Sequence, residues 1–140
     1  MRAEYKLFRV YNGRPAFAWV WVDVNPLPDS SELVVKESIK RANINEGEIS
    51  AEINSTWVDA AMIGARKMLA YLVGRGLIKG GWQAQISKLV GTPVDTDPAA
   101  IECAASLATW RAISPDAPEP VLRYDKRWRI DFGDSCLSPD

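Results

Sequence analysis

Histidine is missing altogether from these 140 residues, and that absence removes the side chain most often used as a base near neutral pH. Serine and cysteine triads, which set an imidazole between nucleophile and acid, are excluded with it. Cysteine is nearly missing too. The two present, Cys103 in a helical pattern and Cys136 in a polar tail, give neither a disulfide framework nor a metal cluster by spacing, and both are expected as free thiols. Neither sign of charge dominates: 17 Lys and Arg stand against 18 Asp and Glu, a net charge of -1. Global attraction to phosphates is therefore absent, and any contact with RNA has to be local. No glycine-rich phosphate loop with a lysine occurs, so no nucleotide is expected as a ligand. No apolar run approaches the roughly 18 residues of a membrane span, and Met1-Arg2-Ala3-Glu4-Tyr5-Lys6 carries no signal-peptide core. The expectation is a cytoplasmic protein with no membrane partner, no cofactor, no metal and no catalytic site.

What is present reads as an α+β domain, two helices packed on a mostly antiparallel or mixed sheet. Residues 6–11 and 15–24 are rich in aromatic and β-branched types around Asn12-Gly13, a strong hairpin signal. In the second of these strands one parity carries Phe17, Trp19 and Trp21, the other Ala16, Ala18, Val20, Val22 and Val24. Both faces are apolar, which predicts a strand covered on both sides, one side by helices and the other by more of the chain or by a partner. Asn25-Pro26 should end it. Residues 33–38 are a candidate strand, 40–45 a loop, and 46–53 a weaker strand on the alternation of Ile49, Ala51 and Ile53. Thr56 and Asp59 are candidate caps for a helix whose Val58, Ala61, Met62, Ala65, Met68, Leu69 and Leu72 share one face, closed by Gly74 or Gly76. Residues 82–90 form a strand with one wet face. Asp97-Pro98 opens a second helix with Ala100, Ile101, Ala104, Leu107 and Ala108 inward. A last strand carries Trp128, Ile130 and Phe132. Residues 1–132 are expected as a single domain and 133–140 as a disordered tail.

One stretch carries a resemblance. Thr92-Pro93-Val94-Asp95-Thr96-Asp97-Pro98-Ala99-Ala100-Ile101-Glu102-Cys103-Ala104-Ala105-Ser106-Leu107-Ala108 is similar, without a gap, to the elongation factor G pattern His-Pro-Val-Asp-Ser-Ser-Glu-Leu-Ala-Phe-Lys-Ile-Ala-Ala-Ser-Met-Ala. The glycine hairpin ending at Asn25-Pro26, the alanine-rich helix over 58–76 and Pro120-Val121-Leu122 also resemble the fourth domain of that factor. The resemblance spans roughly residues 5–132 and is weak between 27 and 56. It implies the fold named for the second domain of a small-subunit ribosomal protein. It also implies a domain without a catalytic site whose loop tips touch RNA in the ribosome's decoding centre. The histidine at the family's extreme tip is replaced here by Thr92, which hydrogen-bonds but neither becomes cationic nor stacks as imidazole does. The family's GTPase domain has no counterpart in these residues.

Three candidate surfaces follow. Thr92, Pro93 and Asp95, with Asn54 and Ser55 in the loop before the first helix, are the candidate RNA or partner contact at the tip. Asp95 and Asp97 have helix capping as their plainer role. Arg123, Lys126, Arg127 and Arg129 are a candidate basic surface, against a plainer reading as a solvated strand face. Trp19, Trp21, Val20 and Val22 are the candidate oligomer face, against a plainer reading as core. Two functions are weighed on these grounds: an interaction or scaffold domain that self-associates, most simply as a homodimer, and a ribosome- or RNA-binding module related to translation.

Overall fold

The structure, a computed structural model, describes residues 1–133 and 135–138. It is α+β, with two helices packed against mixed and antiparallel sheets. The N-terminal hairpin pairs β1 (Arg2–Tyr11) with β2 (Arg14–Leu27) in antiparallel register. Asn12 and Gly13 sit at φ 51° and 75°, the left-handed pair that a two-residue hairpin turn requires and that asparagine and glycine tolerate best. β2 does not stop at Asn25 but continues through Pro26, which pairs with Trp82. The reason lies in the pleat. Val24 N donates to Met1 O on the β1 side, so Pro26, two residues on, turns its nitrogen to the same side, where β1 has already ended and no ladder bond is lost.

β3 (Leu33–Glu37) runs parallel to β4 (Gly81–Val90), and β4 antiparallel to β2, in the sheet order β1-β2-β4-β3. The parallel pair is joined through α1 (Ala51–Gly74), the crossover such a pair demands. Residues 46–53 are not the strand their alternation suggests. Ile44–Glu46 is a single 3-10 turn, Glu48 makes one bridge to Val90, and the chain is helical from Ala51. Residues 51–53 make one turn closed on Ser50 O, and Asn54 then leaves helical geometry at φ -156°, ψ 91°. Its Oδ1 accepts from Trp57 N at 3.1 Å. Asn54, rather than Thr56, therefore caps the long part of the helix, with its side chain meeting the third amide inside as capping requires. From there the expected face holds: Val58, Ala61, Ala65, Met68, Leu69 and Leu72 are buried and Met62 is partly so.

α2 (Pro98–Ile113) begins as expected, Asp97 Oδ1 accepting from Ala100 N at 2.8 Å with proline in the first turn. It is buried all round from Ala100 to Trp110, as a helix apolar on every side must be. It lies between α1, the inner face of β1 and β2, and a second sheet of β5 (Val121–Asp125), β6 (Arg127–Asp131) and β7 (Cys136–Leu137). The helices touch backbone to backbone: a Cβ on Gly64 would stand 2.1 Å from Glu102 O, so only glycine fits. Buried polar groups on α2 are matched, Ser106 Oγ donating to Gly64 O, Thr109 Oγ1 to Ala105 O, and Glu102 paired with Lys67 at 2.7 Å, as burial of polar groups requires.

The tail expected to be disordered is instead engaged where described. Cys136 and Leu137 pair with Asp131 and Ile130 as β7, Ser135 Oγ meets Tyr71 OH at 3.1 Å, and Lys67 Nζ donates to Ser138 O. Asp134, Pro139 and Asp140 lie outside the described residues.

Candidate functional site

The β4–α2 loop is stitched to the end of the hairpin by one hydroxyl. Thr96 Oγ1 donates to Phe17 O at 2.6 Å and accepts from Thr92 N at 2.8 Å, while Phe17 N donates to Asp95 O at 2.8 Å. A threonine hydroxyl has the one donor and the acceptor capacity this junction uses. Thr92 Oγ1 accepts from Asp95 N at 3.1 Å, so this side chain closes the turn from within. Pro93 is exposed at the apex and Val94 is 91% exposed. A Cβ on Gly91 would meet Trp57 Cζ3 and Thr96 Cγ2 at 2.9 Å, which brings the start of α1 alongside. Thr92, Pro93 and Asp95 are thus gathered at one end, and Asn54 and Ser55 lie just beyond Trp57. Asp97 is occupied by its cap.

A cleft of about 690 Å³ opens at the same end, between the hairpin turn, the loop over 94–97 and the β5–β6 hairpin. Tyr11 and Tyr124 rings lie 4.2 Å apart at 44°, and Trp128 meets Tyr124 edge-on at 5.1 Å. Tyr11 is 45% exposed, whereas Trp128 is anchored in the core. Arg14 and Asn12 share the rim with Asp95. Sequence reasoning missed Tyr11 and Tyr124 as site residues and missed β5 as a strand. A signal existed in Tyr124 and Trp128 flanking Asp125-Lys126-Arg127, an aromatic pair around a polar turn.

The candidate basic surface divides. Arg123 is bound to Asp131 at 2.9 Å and Arg129 to Asp125 at 3.3 Å. The Asp131 carboxyl is held below the usual range, first by the Gly133 amide and then by Arg123. Lys126, at φ 65°, and Arg127 are exposed at the hairpin turn beside Tyr124 and Trp128, and so belong to the tip end.

The candidate oligomer face also divides. Val20 and Val22 are 0% and 1% exposed and face the helices, because alternate residues of a strand point to opposite sides. They cannot form an outer contact. Trp19 and Trp21 stand on the outer face, stacked at 4.4 Å, with Lys6 Nζ 4.7 Å from one ring and Lys88 Nζ 4.7 Å from the other. Phe17 meets Phe8 edge-on beside them. Elsewhere, Tyr71, Trp110 and Phe132 line a second cleft of about 520 Å³, and burial with the nearby Glu102 and Asp97 carboxylates pushes the Cys103 thiol up to about 12, leaving it inert.

Folds of this kind are known. The chain is similar to the crystal structure of ttk003000868 from Thermus thermophilus, with a TM-score of 0.59 and 21% identity over 79% of this chain. The match takes in 15% of that protein, and at this identity the likeness shows the fold alone. No family model matches the chain, and no curated protein matches it. No helix among the described residues is long and apolar enough to cross a membrane.

Proposed function

We propose that the chain is a non-enzymatic binding module, of the kind that forms the fourth domain of elongation factor G, which contacts RNA through its tip. One observation carries the reading. Hairpin turn, β4–α2 loop and β5–β6 turn converge on a cleft lined by Tyr11, Tyr124 and Trp128 and rimmed by Arg14, with Lys126 and Arg127 in the adjoining turn. Aromatic faces beside guanidinium and ammonium groups suit unpaired bases and their phosphates. Fluorescence anisotropy with a structured RNA of ribosomal decoding-centre sequence tests it. Binding that weakens as salt rises, and drops at least tenfold in Tyr11→Ala/Tyr124→Ala, is expected. Failure of the wild type to bind at low salt would end the reading.

Self-association is the second reading, and a specific observation favours it. Phe8 and Val10, 55% and 64% exposed, extend the outer aromatic face along the edge strand β1, a combination that invites association. Light scattering decides: a dimer that Phe8→Glu turns into a folded monomer supports it, and a strictly monomeric wild type at high micromolar concentration removes it.

A further inference from the structure

We propose that the outer face of the four-stranded sheet is a track for single-stranded nucleic acid, a site separate from the tip and independent of it. Bases stack on the Trp19–Trp21 column, and phosphates take its two lysines.

The register of the sheet defines this face. Lys6 lies opposite Trp19 and Lys88 opposite Trp21, while Arg2 and Lys36 fall on the same side further along. Against these four cations stand three acids, Glu4, Asp23 and Glu48, the last bridged to Val90 beside Trp19. Asp23 is already held by Arg2 at 3.4 Å and by the N-terminal ammonium at 3.5 Å. A chain of net charge -1 has therefore set an excess of positive charge on the one sheet face that no helix covers. A second copy laid face to face would bring these lysines together, whereas a polyanion is complementary to them.

The column suits a strand of bases in its detail. The two indoles are stacked on each other, and an ammonium stands over each ring. A cation over a partly buried ring is held modestly, and a charge-assisted bond to phosphate is the stronger partner. A lysine that swings to a phosphate uncovers a ring face for a base, so charge pairing and stacking occur in one movement. Trp19 Nε1 is buried with no hydrogen-bond partner among the described residues. The indole nitrogen can only donate, and a base carbonyl at the edge of the opened column would satisfy it. Phe17, next along β2 on the same face, continues the platform.

The experiment is a titration of the full chain with a labelled oligouridylate of about ten nucleotides, the size range of single-strand platforms, at several salt concentrations. Trp19→Ala/Trp21→Ala should weaken binding at least tenfold while far-UV circular dichroism shows the fold intact. Lys6→Gln/Lys88→Gln should lower the slope of log affinity against log salt by about 1.4, two contacts at about 0.7 each. If the tryptophan variant fails to fold, the lysine variant alone decides. Heparin separates stacking from charge, since it should lose affinity with the lysines and not with the tryptophans. Four results would overturn the proposal. The wild type does not bind at low salt; the variants bind as the wild type does; or the wild type is a dimer that the oligonucleotide does not dissociate, which gives the face to a second copy. Binding abolished by Tyr11→Ala/Tyr124→Ala but untouched by the tryptophan and lysine changes would overturn it while leaving the tip reading standing.

Discussion

The two faces of β2 are built on opposite terms. Inward, Ala18, Val20, Val22 and Val24 are almost wholly buried; outward, Phe17, Trp19 and Trp21, larger and able to bury far more apolar area, remain partly exposed. A ranking by hydrophobicity would have put the aromatics inside. What decides is distance. α2 lies close against the sheet because its own surface is alanine, and a gap that narrow takes valine at close packing and cannot take indole. The outer rings are then kept ordered by contacts a small side chain could not make, one another's faces and two lysines.

Paired substitutions on adjacent residues break or sharpen this comparison. The largest expected effect is Val20→Glu, which buries an unpaired carboxylate against α2 and should cost at least about 5 kcal/mol, as much as a marginal domain possesses. Circular dichroism should find it unfolded, while Trp19→Glu, one residue away, should give a folded protein. If both fold, the inner face is less tightly packed than described. Next is Gly64→Ala, where the added methyl has no room before Glu102 O; a loss of about 3 kcal/mol in urea unfolding is expected, and a loss below about 0.5 kcal/mol would mean the helices part easily. Asp97→Ala removes a cap at the tip end and should cost about 1 kcal/mol, read as a melting temperature lower by about 3–5 °C. The smallest is Lys6→Gln on the outer face, about 0.5 kcal/mol if the cation over Trp19 behaves as an exposed one does. A larger loss would show that the lysines hold the column together rather than merely cover it.

How far each element was readable depends on whether its cause is local. The hairpin was legible because Asn12 and Gly13 take the left-handed angles themselves, and α2 because Asp97 and Pro98 start it without help from elsewhere. Residues 46–53 misled because Ile49, Ala51 and Ile53 alternate as a strand would, while Ser50 O closes a helical turn that alternation cannot reveal. β5 was missed because four of its five residues are exposed, so pairing with β6 holds it and burial leaves no pattern. The tip was half legible. Thr92, Pro93 and Asp95 announce a loop, but Tyr11 and Tyr124 meet only because the β5–β6 hairpin folds back to the N-terminal turn, and nothing near either residue encodes the other. The same holds for Val20 and Val22, whose direction was undecided until the closeness of α2 was known.

The strand order has a consequence in time. β2 finds β1 at once, through a two-residue turn, but its other neighbour is β4, with Trp19 paired to Val90. At a synthesis rate of about 5–20 residues per second, the stretch from Leu27 to Val90 takes about 3–13 s to emerge. For that interval the nascent hairpin presents two apolar faces and an unpaired edge, longer than most single domains need to fold. Its hazard is kinetic, and it falls on the growing chain rather than on the finished one. Slower translation between β3 and β4 should therefore lower the soluble yield without altering the stability of the molecules that escape.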